Sequence, residues 1–210
     1  TTGGLVRDIP GRQQVRVPLR LSLKPFGTEF RWYLGTIFVF TLGNASDAFI
    51  LLLAPVCGIA VKWVPLVWAW HSLLRTLASI PAGVLSDRVD RRWVVGAGWL
   101  VYAGCFAAFA AARTPAAYLS AIGVFALYHA MAESVQRAVV ADLVPADLRG
   151  TAYGLYWFTI GLANLPAGIA FGLLWKTRSA PTAFLFAGAV TLAATALLFR
   201  LRPLRNAKAI

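Results

Sequence analysis

Apolar residues run almost without interruption through six segments of the chain, at 32–53, 64–85, 93–111, 116–140, 151–174 and 182–199. Each segment supplies roughly the 20 residues that a helix needs to cross a hydrocarbon core. The apolar positions are near-continuous and do not alternate with polar ones, which predicts spanning helices and argues against the strands of a membrane β-barrel. Helices buried in a large soluble core would be shorter and more often interrupted by charge. The pattern predicts an all-α membrane protein. A basic lead-in at 1–30 would precede a six-helix membrane domain at 31–200, and a short tail would occupy 201–210.

Composition agrees with that reading. Hydrophobic residues make up 59% of the chain and charged residues only 13%, about half the charged share of an average soluble domain. A soluble fold of this length could not hide so much apolar surface, so lipid is the expected solvent and a lipid bilayer the expected partner. The formal net charge of +12 would point to nucleic acid in a soluble protein, but here its distribution matters more. Threading six spans places Arg7, Arg12, Arg16, Arg20, Lys24, Arg31, Arg88, Arg91, Arg92, Arg149, Arg200, Arg202, Arg205 and Lys208 on one side of the membrane. Lys62, Arg113, Lys176 and Arg178 fall on the other. Basic loops mark the cytoplasmic face. Both termini are therefore expected in the cytoplasm, in a cell (inner) membrane, and no nucleic-acid partner is implied. Trp32, Trp63, Trp93, Tyr118 and Trp175 lie near expected span ends, as interface anchors do.

Cys57 and Cys105 fall in apolar stretches without metal-ligand spacing and read as small buried hydrophobes. The single methionine is Met131 and the first apolar run begins near Trp32, so neither an initiator nor a cleavable signal peptide is expected. The chain reads as a piece of a longer protein.

The loop between the second and third segments reads Gly83-Val84-Leu85-Ser86-Asp87-Arg88-Val89-Asp90-Arg91-Arg92. It resembles the signature loop of the major facilitator superfamily, Gly-x-Leu-x-Asp-Arg-x-Gly-Arg-Arg, with Asp90 where the family prefers glycine. The resemblance covers about residues 30–202 and implies one half of a transporter whose halves each hold six helices as two three-helix repeats; the superfamily is itself the standard example of that arrangement. The altered signature, the basic lead-in, the short basic tail and the run Arg149-Gly150-Thr151-Ala152-Tyr153-Gly154 look like the C-terminal half. The resemblance further implies a missing N-terminal six-helix half, in the same chain or as a separate subunit. It also implies a gate at the cytoplasmic side in which Asp87 pairs with an arginine or caps a helix. Glu133 and Arg137 are four residues apart on one helix face, so an Asp87–Arg137–Glu133 cluster is expected there, beside Gly83, Arg88, Arg91 and Arg92.

Ionisable groups inside a span are costly and are functional candidates by default. Asp47, in Gly43-Asn44-Ala45-Ser46-Asp47, lies too deep in the first segment to reach the inner surface easily. His71 and Arg75 share a face of the second segment at comparable depth, so an Asp47–Arg75 or Asp47–His71 pair is geometrically possible. Asn44, Asp47, His71, Arg75, His129 and Asn164 are the candidates for a substrate or proton path, with Asp47 the leading coupling residue. Each has a bland alternative, a buried polar contact that fixes helix packing, and this is the stronger reading for His71 and His129. The glycines at 150, 154, 161, 168 and 172, above all Gly168-x-x-x-Gly172, read as a face for close helix packing.

These features point to a secondary transporter of small solutes, coupled to protons and working by alternating access. No phosphate-binding Gly-x-x-x-x-Gly-Lys-Ser/Thr loop is present, so ATP is not the direct energy source. His-Glu-x-x-His is absent, and His71 beside Ser72 cannot form a dyad because sequence neighbours diverge on a helix. No enzymatic activity, catalytic residue, metal or cofactor is expected. A non-transporting scaffold or self-dimerising half-protein remains the alternative, and nothing in the residues names the solute.

Overall fold

The computed structural model describes residues 23–44 and 46–201. The lead-in before residue 23, the tail beyond 201 and the side chain of Asp87 lie outside the described residues. Helices α1 (Thr28–Gly43) and α2 (Asp47–Val56) follow one another across a short non-helical link, and α3 (Val64–Arg88), α4 (Arg91–Ala111) and α5 (Pro115–Tyr128) come next. A π-helical turn, His129–Glu133, joins α5 to α6 (Ser134–Leu143); α7 (Arg149–Thr177) and α8 (Ala180–Leu198) complete the order. No strand occurs among the described residues.

Among the described residues five stretches are long and apolar enough to cross a membrane: Thr28–Val56, Arg91–Ala111, Pro115–Leu143, Ala146–Thr177 and Ala180–Leu198. The second expected span, α3, is long enough at 25 residues but is missing from this set. His71, Ser72, Arg75, Thr76 and Ser79 dilute its hydropathy. Yet Leu66, Trp70, Leu73, Leu77, Ile80 and Val84 along it are all exposed, so its outer surface suits an apolar neighbour better than water.

Local chemistry explains the helix starts. Ser46, Thr114 and Ser179 each accept a backbone N–H from the first turn of the helix that follows, and Pro115 and Pro181 stand in first-turn positions where proline is favoured. At α4 the capping residue is Asp90. Its Oδ1 accepts from the backbone N–H of Arg92 at 2.9 Å, and its Oδ2 pairs with the Arg92 guanidinium at 2.8 Å. Its φ of −53° is an ordinary L-residue conformation, so glycine is not required. The departure from the family's loop pattern replaces a flexible residue with a helix cap.

The most deeply buried span is α4, which packs on α8 and α5, while α1 packs on α8 and α7. Phe40 stacks on Trp99 at 4.2 Å and Tyr102 on Phe106 at 4.1 Å, and Phe109, Phe125 and Phe184 continue the aromatic core. Tyr118, expected at an interface, instead lies inside this core, fully buried, with its hydroxyl donating to the Ile50 carbonyl at 3.0 Å.

Lipid tails are as apolar as leucine, so helices in a bilayer associate through close packing and interhelical hydrogen bonds. Small residues supply the close approaches. A methyl group added at Gly43 would lie 2.7 Å from the Ala187 carbonyl, and one at Gly98 would lie 3.0 Å from Ala132 Cβ. The expected packing face on α7 is different. A methyl group at Gly150, Gly154, Gly161 or Gly168 would meet nothing within 4 Å, and only Gly172 has a neighbour, Phe49 at 3.5 Å. The reason is position: α7 lies in the least buried of the apolar stretches, so most of its glycine row has no helix against it.

Two predictions follow from this packing. Gly43→Ala should lower stability by about 1–3 kcal/mol through overpacking, while Gly35→Ala, with nothing within 4 Å of the new methyl, should not; thermal melting in detergent compares them. Asp90→Ala should lose about 1 kcal/mol through the missing cap, and Asp90→Asn should retain most of it by the same measurement.

Candidate functional site

The first span breaks where Gly43 ends α1 and Ser46 caps α2. A carbonyl released by such a break must find another donor in a region without water. Tyr102 of α4 provides it, donating to the Gly43 carbonyl at 3.0 Å and to Asn44 Oδ1 at 3.2 Å. The break leaves Asp47 in the first turn of α2, where a carboxylate favours the positive helix end.

On the facing span, the π turn inserts an extra residue into the helical repeat and sets His129 and Glu133 on one side of it. A cavity of about 420 Å³ lies between these irregular segments and α7, lined by Asn44, Ser46, Asp47, His129, Asn164 and Gly168. It brings together four of the candidate path residues: Asn44, Asp47, His129 and Asn164. His71 and Arg75 are not part of its lining.

A charge cluster adjoins the cavity and shares His129 with it. Arg75 Nη2 reaches Glu133 Oε2 at 2.5 Å, Arg137 Nη1 reaches Glu133 Oε1 at 3.4 Å, and His129 Nδ1 stands 3.6 Å from Glu133 Oε2. Arg75 is therefore committed to Glu133, and neither expected pair with Asp47 forms. Among the described residues Asp47 makes no ion pair within 4.0 Å. Glu133, expected at the cytoplasmic gate, instead belongs to the π turn in the middle of the stretch Pro115–Leu143 and meets the middle of α3. The expected Glu133–Arg137 contact is present, and the Asp87 side of the expected cluster lies outside the described residues.

His71 is fully buried. Its ring stacks on Trp68 at 4.8 Å and on Phe125 at 5.6 Å, and meets His129 edge-on at 5.2 Å. Neither ring nitrogen has a hydrogen-bond partner among the described residues, so its contacts there are those of a packed ring.

The loop between α3 and α4 ties several helix ends together. Arg91 Nη1 pairs with Asp142 Oδ2 at 2.5 Å near the end of α6, and Arg92 Nη1 donates to the Leu201 carbonyl, just beyond α8, at 2.5 Å. Gly83 meets nothing within 4 Å of an added methyl, and Arg88 is exposed. Asp142 was not among the expected site residues, and its partner Arg91 lies 51 residues away in sequence, where no local spacing points to it. Gln136 was missed as well. It is buried, its carbonyl accepts from Tyr33 at 3.0 Å, and its Oε1 accepts from Tyr156 at 3.2 Å. Its polar amide in an expected span was a signal, but nothing local names Tyr33 and Tyr156 as its partners.

Comparison with known proteins bears on the family and the fold. An uncharacterized MFS-type transporter of Methanocaldococcus jannaschii is 28% identical over 177 residues, an alignment spanning 81% of this chain and 44% of that protein. The chain thus spans about half the length of the relative it matches. The crystal structure of the POT family transporter PepTSo superposes with a TM-score of 0.68 at 16% identity, over 82% of this chain and 37% of that one, a likeness of fold. The family model of the Major Facilitator Superfamily matches residues 32–210. The chain belongs to the major facilitator superfamily.

Proposed function

We propose that the chain forms the C-terminal six-helix half of a secondary active transporter that moves a small solute by alternating access, coupled to protons. In this reading α3 is the sixth span and the helices divide as three plus three. The missing N-terminal half covers the exposed faces of α3 and α7, and both termini lie on the cytoplasmic side of the cell membrane. The coverage of less than half of each longer relative supports the half-transporter reading.

The observation that carries the proposal is the polar cavity between two irregular spans. Irregular backbone at membrane depth is tolerated where it lines a cavity, and transporter sites are commonly built from discontinuous helices. Here Asn44 and Asp47 come from the link and the first turn of α2, His129 from the π turn and Asn164 from α7. Asp47 would carry the proton, because it is the cavity's carboxylate and has no ion-pair partner among the described residues. The cluster of Arg75, Glu133 and Arg137 would hold the adjoining spans in register.

Asn164→Cys, in a background with Cys57 and Cys105 replaced by alanine, tests alternating access. A membrane-impermeant maleimide should label it from outside in intact cells and from inside in inverted vesicles. A static scaffold would label from one side at most. In vesicles carrying the complete gene product, solute uptake should respond to an imposed proton gradient, and Asp47→Asn should remove that response. An unchanged response in the variant would show that Asp47 does not carry the coupling proton.

A further inference from the structure

We infer that a groove at the start of α3 holds the upper part of one acyl chain of an anionic phospholipid, with the headgroup on Lys62 and Arg113. The inference concerns a contact with lipid and does not rest on the transport reading.

The groove encloses about 830 Å³. Trp63, Leu66 and Trp70, spaced three and four residues apart, form one wall. Leu119 and Ser120 of α5 form another, and the turn at 58–60 completes the lining. Gly58 has φ +88°, the left-handed conformation that glycine adopts without strain. A methyl group there would lie 3.6 Å from Pro115, so this turn folds directly onto the start of α5. Apart from Ser120 the lining side chains are apolar or aromatic, and Ser120 donates its hydroxyl to the Ala116 carbonyl of its own helix at 2.9 Å. Indoles suit a site with one apolar and one wet end, and both Trp63 and Trp70 are exposed.

From Trp63 to Trp70 the groove runs about 10 Å along the helix, roughly a third of a hydrocarbon core. A whole helix is about 10–12 Å across and would bridge such a pocket, whereas an acyl chain can enter it. The rest of the exposed face of α3, from Leu73 to Val84, is left for the proposed missing half.

The mouth carries charge of one sign. Lys62 Nζ lies 5.6 Å from the centre of the Trp63 ring. Arg113 follows Ala112, whose carbonyl is 3.7 Å from Cys57 Sγ, next to Gly58, so it stands by the same turn. Its Nη1 donates to the Ala110 and Ala112 carbonyls at 3.0 and 2.8 Å, which holds the guanidinium at the end of α4. Both cations are exposed, and among the described residues neither has an ion-pair partner within 4.0 Å. No aspartate or glutamate occurs between Asp47 and Asp87, between Asp90 and Glu133, or after Asp147. Neither the turn before α3 nor the turn before α5 therefore has a carboxylate of its own.

A phosphate at the mouth would compensate both cations while its acyl chain fills the groove. Phosphatidylcholine carries that phosphate beside a quaternary ammonium. Phosphatidylglycerol has no such cation, so charge complementarity favours it, by about fivefold in affinity for each basic residue.

Phospholipids brominated on the acyl chain quench tryptophan on contact and test this in proteoliposomes of the complete gene product. The quenching lost when Trp63→Phe and Trp70→Phe are combined reports the groove. That share should appear at a lower mole fraction of brominated phosphatidylglycerol than of brominated phosphatidylcholine. The preference should fall about fivefold in Lys62→Gln and again in Arg113→Gln, and it should weaken at high salt. Glycerol phosphate, which has no chain, should not compete. Thermal melting would confirm that each variant folds, and the lipid and salt comparisons need neither charge variant. Equal quenching by the two lipids, indifference to both charge variants, displacement by glycerol phosphate, or no groove share at all, as a helix of the missing half seated there would give, would overturn the inference. Two-sided labelling of Asn164→Cys is read separately, so either proposal can fail alone.

Discussion

Every backbone polar group in a hydrocarbon layer must find its partner inside the protein, and the architecture is organised around the places where helices fail to provide one. The stretch Thr28–Val56 is interrupted between Gly43 and Ser46, and the stretch Pro115–Leu143 is widened at His129–Glu133. Tyrosines from other elements reach into these interrupted spans. Tyr102 takes the Gly43 carbonyl, Tyr118 that of Ile50, Tyr33 that of Gln136 and Tyr153 that of Arg137. Each phenol offers an apolar ring to the core and one donor at its tip, which suits a carbonyl buried among aromatic side chains. The irregularities can persist because they are hydrogen-bonded, and the cavity exists because they persist.

Charge placement follows the same economy. An isolated ion in lipid is expensive, and intramembrane ions accordingly pair or face a water-filled space. Arg75, Glu133 and Arg137 take the first course, and Asp47 takes the second. That division separates a contact joining α3 to the fourth span from a carboxylate open to the cavity. It also explains why the expected Asp47–Arg75 pair does not form, since Arg75 already has a carboxylate at 2.5 Å.

The helical, membrane-embedded character was legible from the apolar runs, and the family from the loop at Gly83–Arg92. Those signals are local and need no knowledge of neighbours. Asn44, Asp47, His129 and Asn164 were legible as candidates because polar residues stand out in apolar segments. Their partners were not. Whether Arg75 meets Asp47 or Glu133 depends on how two helices align in depth, which a linear pattern does not encode. The π turn leaves no compositional trace in His-Ala-Met-Ala-Glu, and Gln136 looks like an incidental polar residue until Tyr33 and Tyr156 converge on it. The glycine row on α7 finds no packing partner within this chain for a related reason. Small residues permit close packing without requiring it, and the surrounding helices decide.

The loop between α3 and α4 has a mechanical meaning. Through Arg91 it is fastened to α6 and through Arg92 to the chain beyond α8, while Asp90 clips Arg92 to the start of α4. Early and late helices are thereby riveted at the same end. A body riveted there resists splaying, so it behaves as a lever and not as a bellows. If the proposed alternating access operates, opening on that side would come from tilting the whole unit about a distant fulcrum, and torque applied at the cavity would reach this end with little lost to internal flexing.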